Sequence, residues 1–183
     1  SRSSYPAGNT REKRAVKTLH LLRHAKSSWA EAGIDDHDRD LNDRGRRDAP
    51  RMGAALAQRL PAQTIHVSSA LRAQRTLEGV LRGWPELAAF EQRTVPELYT
   101  FDWREVLRWL RTADLEDYSV FIIGHNPALT ELCNQLVARR ALDNLPTAGY
   151  LRLGADIAAW SDLDEGLATL DAYLLPRDLP CER

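Results

Sequence analysis

Three segments of this 183-residue chain repeat one grammar: an apolar β-type run, a polar turn, then the start of a helical pattern. They are LHLLRHAKSSW from Leu19, IHVSSALRAQRT from Ile65 and VFIIGHNPALTEL from Val120. Short apolar runs bounded by turn residues mark buried strands, and apolar residues at helical spacing between them mark packed helices. The alternation predicts an α/β fold: a single three-layer domain, a mainly parallel sheet with helices on both faces. In such sheets ligands bind beyond the carboxyl ends of the strands. The turns that follow these runs are therefore where chemistry is expected.

Strands are expected over residues 18–23, 64–67 and 118–123, with late strands over 145–153 and 167–175. Residues 94–99 read as a short strand or a loop, and 30–41 as a polar loop. Asn42 is placed as a helix N-cap. Pro50 conflicts with one continuous helix, so either a kink or a restart capped by Asp48 is expected there. Ala49, Met52, Gly53, Leu56 and Leu60 form its buried stripe. Ser68-Ser69 are expected to cap a second helix, with Ala73, Leu77, Val80 and Leu81 facing inward. Trp103, Val106, Leu107 and Leu110 recur at helical spacing. Asn126 reads as an N-cap with Pro127 at the first helical position, ahead of the stripe Leu129, Leu132, Cys133, Leu136 and Val137.

The bulk properties narrow the function by exclusion. With 25 basic and 26 acidic residues the formal net charge is −1, which gives no general attraction to nucleic acid or anionic membrane. Any anion site must be a local cluster. Cys133 and Cys181 form no paired pattern and suggest neither a disulfide scaffold nor zinc, which fits a reducing cytoplasm. No apolar stretch approaches membrane-spanning length. Residues 1–17 are a polar, basic tail with no signal-peptide core. Beginning at Ser1, the tail is expected to be loosely ordered and in part processed or foreign to the domain, which is placed at 18–179.

Each repeated segment delivers a cation or an imidazole to a strand end: Arg23 and His24, then Arg72, then His125. Arg72 and His125 lie at or beside helix N-termini, where backbone N–H groups and the helix dipole favour anions. Guanidinium forks match phosphoryl oxygens in bidentate fashion. A neutral imidazole is a competent nucleophile near pH 7, since its ordinary pKa is about 6.5. Phosphoryl transfer needs little more than an in-line nucleophile and positive charge around the equatorial oxygens.

RHAKSSW, HDRDLNDRGRRDAPRMG, SSALRAQRT, GHNP and the closing LLPRDL, in this order, resemble the histidine phosphatase superfamily, whose fold is called phosphoglycerate mutase-like. In particular they are similar to its SixA-like phosphohistidine phosphatase branch. The resemblance runs from about Leu19 to Leu179. It implies that His24 is the nucleophile that becomes phosphorylated, that Arg23 and Arg72 hold the phosphoryl oxygens, and that His125 contacts the phosphoryl group. It implies no cofactor and no metal.

The departures from the family pattern are informative. Arg75 stands where Gln is usual and is expected to face solvent. Asp40 stands where Pro is usual before Leu41. Thr100 stands where mutases and many phosphatases of the superfamily carry a glutamate, and a threonine does not donate a proton at neutral pH as a carboxylic acid does. Glu97 and Asp102 are near in sequence but displaced from that position. Lys26, Ser27, Trp29 and Asn126 are assigned to the pocket rim. Asp36, His37, Asp38 and Arg39 read as a solvated loop, not a metal site. His20 and His66 read as core histidines.

These residues predict a metal-independent phosphatase of the cytoplasm, hydrolysing phosphohistidine on a protein through a phospho-His24 intermediate. Two alternatives remain open at this point. One is a small-molecule phosphomonoesterase of the same fold acting on a phosphorylated metabolite. The other is a phosphoprotein-binding module without turnover. The short connections leave little room for a large lid, which suits a protein side chain as substrate. No role with nucleic acid or membrane is expected.

Overall fold

Strand β1, Lys17–Arg23, runs through the middle of a six-stranded sheet. The computed structural model describes residues 16–180, and residues 1–15 of the tail and Cys181 lie outside the described residues. The remaining strands are β2 (Ile65–Ser68), β3 (Gln92–Val95), β4 (Ser119–Gly124), β5 (Tyr150–Ala155) and β6 (Ala168–Leu174). Their order is β3-β2-β4-β1-β5-β6. The first four are parallel, and β5 and β6 add an antiparallel edge. The sheet is thus mixed, and parallel where the sequence grammar repeats. Lys17 belongs to β1 and is buried, so the strand begins one residue inside the expected tail.

The helices are α1 (Asp43–Ala57), α2 (Leu71–Gly83), α3 (Trp103–Thr112) and α4 (Ala128–Val137). Alternate strand residues face opposite layers. Leu22, Phe121 and Ile123 pack with Met52 and Leu56 of α1 and with Leu77 and Val80 of α2. Leu19, Leu21 and Ile122 pack on the other side, with Leu107 and Leu110 of α3 and with Leu129 and Leu132 of α4. Because β1 and β4 are covered on both faces, they read as nearly unbroken apolar runs. No helix among the described residues is long and apolar enough to cross a membrane.

Local signals and tertiary structure differ inside one helix and at the starts of two others. Asn42 caps α1 as expected, its side chain accepting from the Gly45 N–H. Pro50, however, lies inside one continuous α1 with no restart at Asp48. Helix α2 starts after Ala70 without a side-chain cap, and the Ser68 hydroxyl that accepts from Ala70 N–H is also committed to His125. Helix α4 starts at Ala128, one residue later than the Asn126-Pro127 pattern predicts, although Asn126 still accepts from the Thr130 N–H. Residues 145–149 precede β5 as a loop, because they turn back to hydrogen-bond Arg23 and His24.

Candidate active site

Strand register builds the site. Arg23 pairs with Gly124, so the next residues, His24 and His125, emerge side by side from β1 and β4. His24 N–H donates to Gly124 O at 3.0 Å, and the two rings sit 5.2 Å apart. Val67 pairs with Ile123, which brings Ser68 level with the same edge. Helix α2 then carries Arg72 back over His24. Thr76 locks that approach: its hydroxyl donates to Arg72 O and accepts from Ala25 N–H.

His24 has one nitrogen committed and one free of the backbone. Nδ1 lies 2.7 Å from Ala25 O, a carbonyl that can only accept. The proton therefore resides on Nδ1, and Nε2 carries the lone pair. Arg72 Nε donates to that Nε2 at 3.3 Å. Burial pushes the His24 pKa down to about 3, opposed by the Ala25 carbonyl and reinforced by the charges of Arg72, Arg23 and Arg39. The ring is an unprotonated nucleophile at neutral pH.

Arg72 is only 1% exposed, and a buried guanidinium requires partners. It finds them in Asp36, a residue of the turn Asp36–Asp38. Arg72 Nη1 donates to Asp36 O at 2.6 Å and Nη2 to the Asp36 carboxylate at 3.0 Å. Tyr99 donates its hydroxyl to the same Asp36 oxygen at 2.5 Å, and Arg39 Nε reaches the other at 3.2 Å. Partial burial raises the Asp36 pKa, but the hydrogen bonds from Tyr99 and Arg72 and the charges of Arg72 and Arg39 outweigh it. The carboxyl is held below its ordinary value.

His125 is buried, with Nε2 2.7 Å from Ser68 Oγ. Since Ser68 Oγ already accepts from Ala70 N–H, its own proton is available to Nε2. With Ser68 donating to Nε2, the His125 proton sits on Nδ1, a buried atom without a partner among the described residues. Burial, followed by the neighbouring His24 and Arg72, lowers the His125 pKa to about 2. The rings of Tyr99 and Phe101 stand edge-on to His125 at 5.4 and 5.9 Å and form one wall of the mouth.

Arg23 Nη1 donates to Leu145 O at 2.8 Å, while its Nε is buried without a partner among the described residues. Burial, and next the charge of Arg72, lower its pKa. Arg23 Nε is a donor of the kind an oxyanion requires, while both terminal nitrogens of the Arg72 fork are already engaged by Asp36. Among the described residues no group of three or more His, Cys, Asp or Glu is placed to hold a metal ion.

The rim residues divide. Trp29 is 76% exposed and carries the Arg39 guanidinium stacked 3.6 Å from its ring centre, so it touches the site through Arg39. Lys26 is exposed, and its backbone carbonyl accepts from Asn42 N–H. Ser27 is buried in a bridge to Leu41. Asn126 donates to Leu145 O, the same carbonyl that holds Arg23, and so braces the site from behind. Arg75 turns outward to Glu78 and Asp40. Thr100 accepts from Asp102 N–H, Asp102 caps α3, and Glu97 is exposed. His20 is a satisfied core histidine between Tyr150 and Ser119, and His66 packs edge-on to Trp109. Asp36 and Arg39 are not the solvated loop that the sequence predicts, because burying Arg72 draws the Asp36 carboxylate onto it, and Ser68 serves His125 in place of capping α2; Tyr99 and Thr76 join the site without a sequence signal.

Comparison with known proteins agrees with this fold. A family model described as histidine phosphatase superfamily (branch 1) matches residues 19–115. An uncharacterised protein of Mycobacterium tuberculosis is 31% identical, over 85% of this chain and 100% of its own length. The crystal structure of a candidate SixA phosphohistidine phosphatase from Agrobacterium tumefaciens superposes with a TM-score of 0.72 at 27% identity, covering 87% of this chain and 98% of that one. A mycobacterial glucosyl-3-phosphoglycerate phosphatase shares the fold at a TM-score of 0.59 and 17% identity, covering 85% and 97%.

Proposed function

The chain belongs to the histidine phosphatase superfamily (branch 1), and from that premise we propose that it hydrolyses phosphohistidine on a protein through a phosphorylated His24. The observation that carries this reading is the His24 Nε2 lone pair under Arg72, with Thr100 and not a carboxylic acid at the position of the family's usual acid. His24 Nε2 attacks phosphorus, the substrate's P–N bond breaks, and the electron pair leaves with the imidazole. Arg23, Arg72 and the His125 Nδ1–H hold the phosphoryl oxygens through the transfer. Water then attacks the phospho-His24, releasing phosphate and restoring the ring.

The absence of an acid at residue 100 bears on the substrate. An alkoxide leaving group needs a proton from the enzyme. An imidazole already protonated on its other ring nitrogen leaves as a neutral molecule without one. The mouth, bounded by the exposed side chains of Trp29 and Phe101, suits a side chain presented by a protein. The partner on this reading is a phosphohistidine-bearing protein, met in the cytoplasm.

The test offers phosphohistidine-bearing protein and simple phosphoesters side by side, with His24→Ala as control. Phosphohistidine turnover, loss of activity in His24→Ala and capture of an acid-labile phospho-enzyme are expected. Full activity in His24→Ala overturns the covalent step. Faster turnover of phosphoesters replaces the substrate with a phosphorylated metabolite, and no phosphate release from either leaves a binding module.

A further inference from the structure

Asp36 is an unexpected residue to find in a phosphoryl pocket. A carboxylate bonded to the site's most buried arginine repels the incoming dianion and occupies donors the phosphoryl group needs. Its position suggests what offsets that cost. The Arg72 guanidinium places Nε on the nucleophilic nitrogen of His24 and Nη2 on the Asp36 carboxylate, so one planar group spans the two. In-line transfer puts the leaving group opposite the nucleophile, across the oxygens that such an arginine holds. The leaving group therefore departs toward the end of the guanidinium where Asp36 stands.

We propose that Asp36 selects an N-linked over an O-linked phosphoryl group, its carboxylate accepting a hydrogen bond from the protonated far nitrogen of the leaving imidazole. This rests on the phosphohistidine reading above and names the residue that enforces it. Three contacts from Arg72, Tyr99 and Arg39 fix the carboxylate, while its side chain stays 42% exposed. An ionised carboxylate has about four acceptor positions, so one remains for the substrate. The balance of the step is simple. The P–N bond of the substrate breaks as the bond to His24 Nε2 forms, and the electron pair stays on the departing nitrogen. The proton already on the other ring nitrogen remains there, held by Asp36, so neutral imidazole leaves. A phosphoester oxygen offers no such N–H, and its ester oxygen meets a carboxylate that repels the developing alkoxide.

Asp36→Asn in the full chain tests this, with N-phosphorylated histidine and para-nitrophenyl phosphate as paired substrates. The aryl phosphate releases a stabilised phenolate and asks nothing of Asp36. Loss of one charge-assisted hydrogen bond predicts a drop of roughly 10–100-fold in kcat/KM for phosphohistidine. The aryl phosphate is expected to lose less, because weakening of the Arg72 contact falls on both substrates alike and only phosphohistidine also loses the bond to its far nitrogen, so the ratio of the two kcat/KM values falls roughly tenfold or more. Equal losses on both substrates make Asp36 only a brace for Arg72 and overturn the proposal. Undiminished phosphohistidine turnover overturns it as well. Both of those outcomes leave the phosphohistidine reading standing. A wild-type protein that turns over the aryl phosphate but not phosphohistidine removes that reading itself, and this inference with it.

Discussion

The Nε of Arg72 lies 3.3 Å from the Nε2 of His24, a donor aimed at the lone pair of the ring. The contact joins the first turn of α2 to the end of β1 and depends on Thr76 bridging Ala25 and Arg72. It holds the ring and delivers a cation beside the nitrogen that would meet phosphorus.

Arg72→Lys keeps the charge and removes the planar fork. A lysine cannot donate to His24 while also holding phosphoryl oxygens in bidentate fashion. Phosphatase kcat/KM is expected to fall on the order of 100–1000-fold, as when an oxyanion donor is lost. Steady-state kinetics on para-nitrophenyl phosphate measure it, and near-wild-type activity in the lysine variant would show that charge alone suffices.

Ser68→Ala removes the group that sets the His125 tautomer. The orphaned ring nitrogen costs roughly 1–3 kcal/mol of stability. Without the serine proton on Nε2, Nδ1 no longer carries its proton in every molecule, and kcat is expected to drop about tenfold. Nitrogen NMR of the imidazole reads the tautomer directly. An unchanged Nδ1–H signal in Ser68→Ala would remove Ser68 from this role.

Acid should destabilise the protein over a defined window. The pKa of His20 is lowered to about 4, that of His24 to about 3 and that of His125 to about 2, with burial the largest cause in each. An unfolded chain takes up these protons near pH 6.5, so below that value it binds more protons than the folded state. The stabilisation is complete above about pH 6.5 and is lost progressively as pH falls toward the lowered values. Thermal unfolding should therefore show Tm level from pH 7 to 8 and falling below about pH 6. A Tm that stays level down to about pH 4.5 would contradict neutral buried histidines.

Gly53→Ala probes the α1–α2 contact away from the site. A Cβ at residue 53 would stand 2.4 Å from Val80 O and 2.9 Å from Val80 Cα, both backbone atoms that yield little. The expected cost is roughly 1–3 kcal/mol, a Tm drop of roughly 2–10 °C. Activity per folded molecule should persist. Calorimetry with kinetics at a temperature where both proteins are folded checks the pair of outcomes.

Much of this was legible in the chain because the grammar is local. The continuous apolar runs of β1 and β4 announce strands buried on both faces, and Arg23, His24 and His125 sit directly at their ends. Asn42 announces α1 by a side-chain bond within four residues. Pro50 misleads because a local propensity was overridden: the packing of α1 on α2 keeps the helix continuous despite the missing N–H. Asn126 misleads by one residue because its side chain serves Leu145 O and Thr130 together, a contact across a loop.

Spacing along the backbone was enough to find the buried strands β1, β2 and β4, the helices that follow them and the residue types delivered to their ends, but not β3, the start of β5 or the course of α1 through Pro50. Tertiary structure alone decided which of those residues meet. The β1–β4 register placed His24 beside His125, and the β2–β4 register brought Ser68 to the second ring. A turn 36 residues away in sequence supplied the carboxylate that Arg72 requires once it is buried, and Tyr99, a further 63 residues from that turn, completed it. Hydrogen bonds of that reach have no periodicity to betray them, because what they satisfy is the burial of a charge, and burial exists only after the layers have packed.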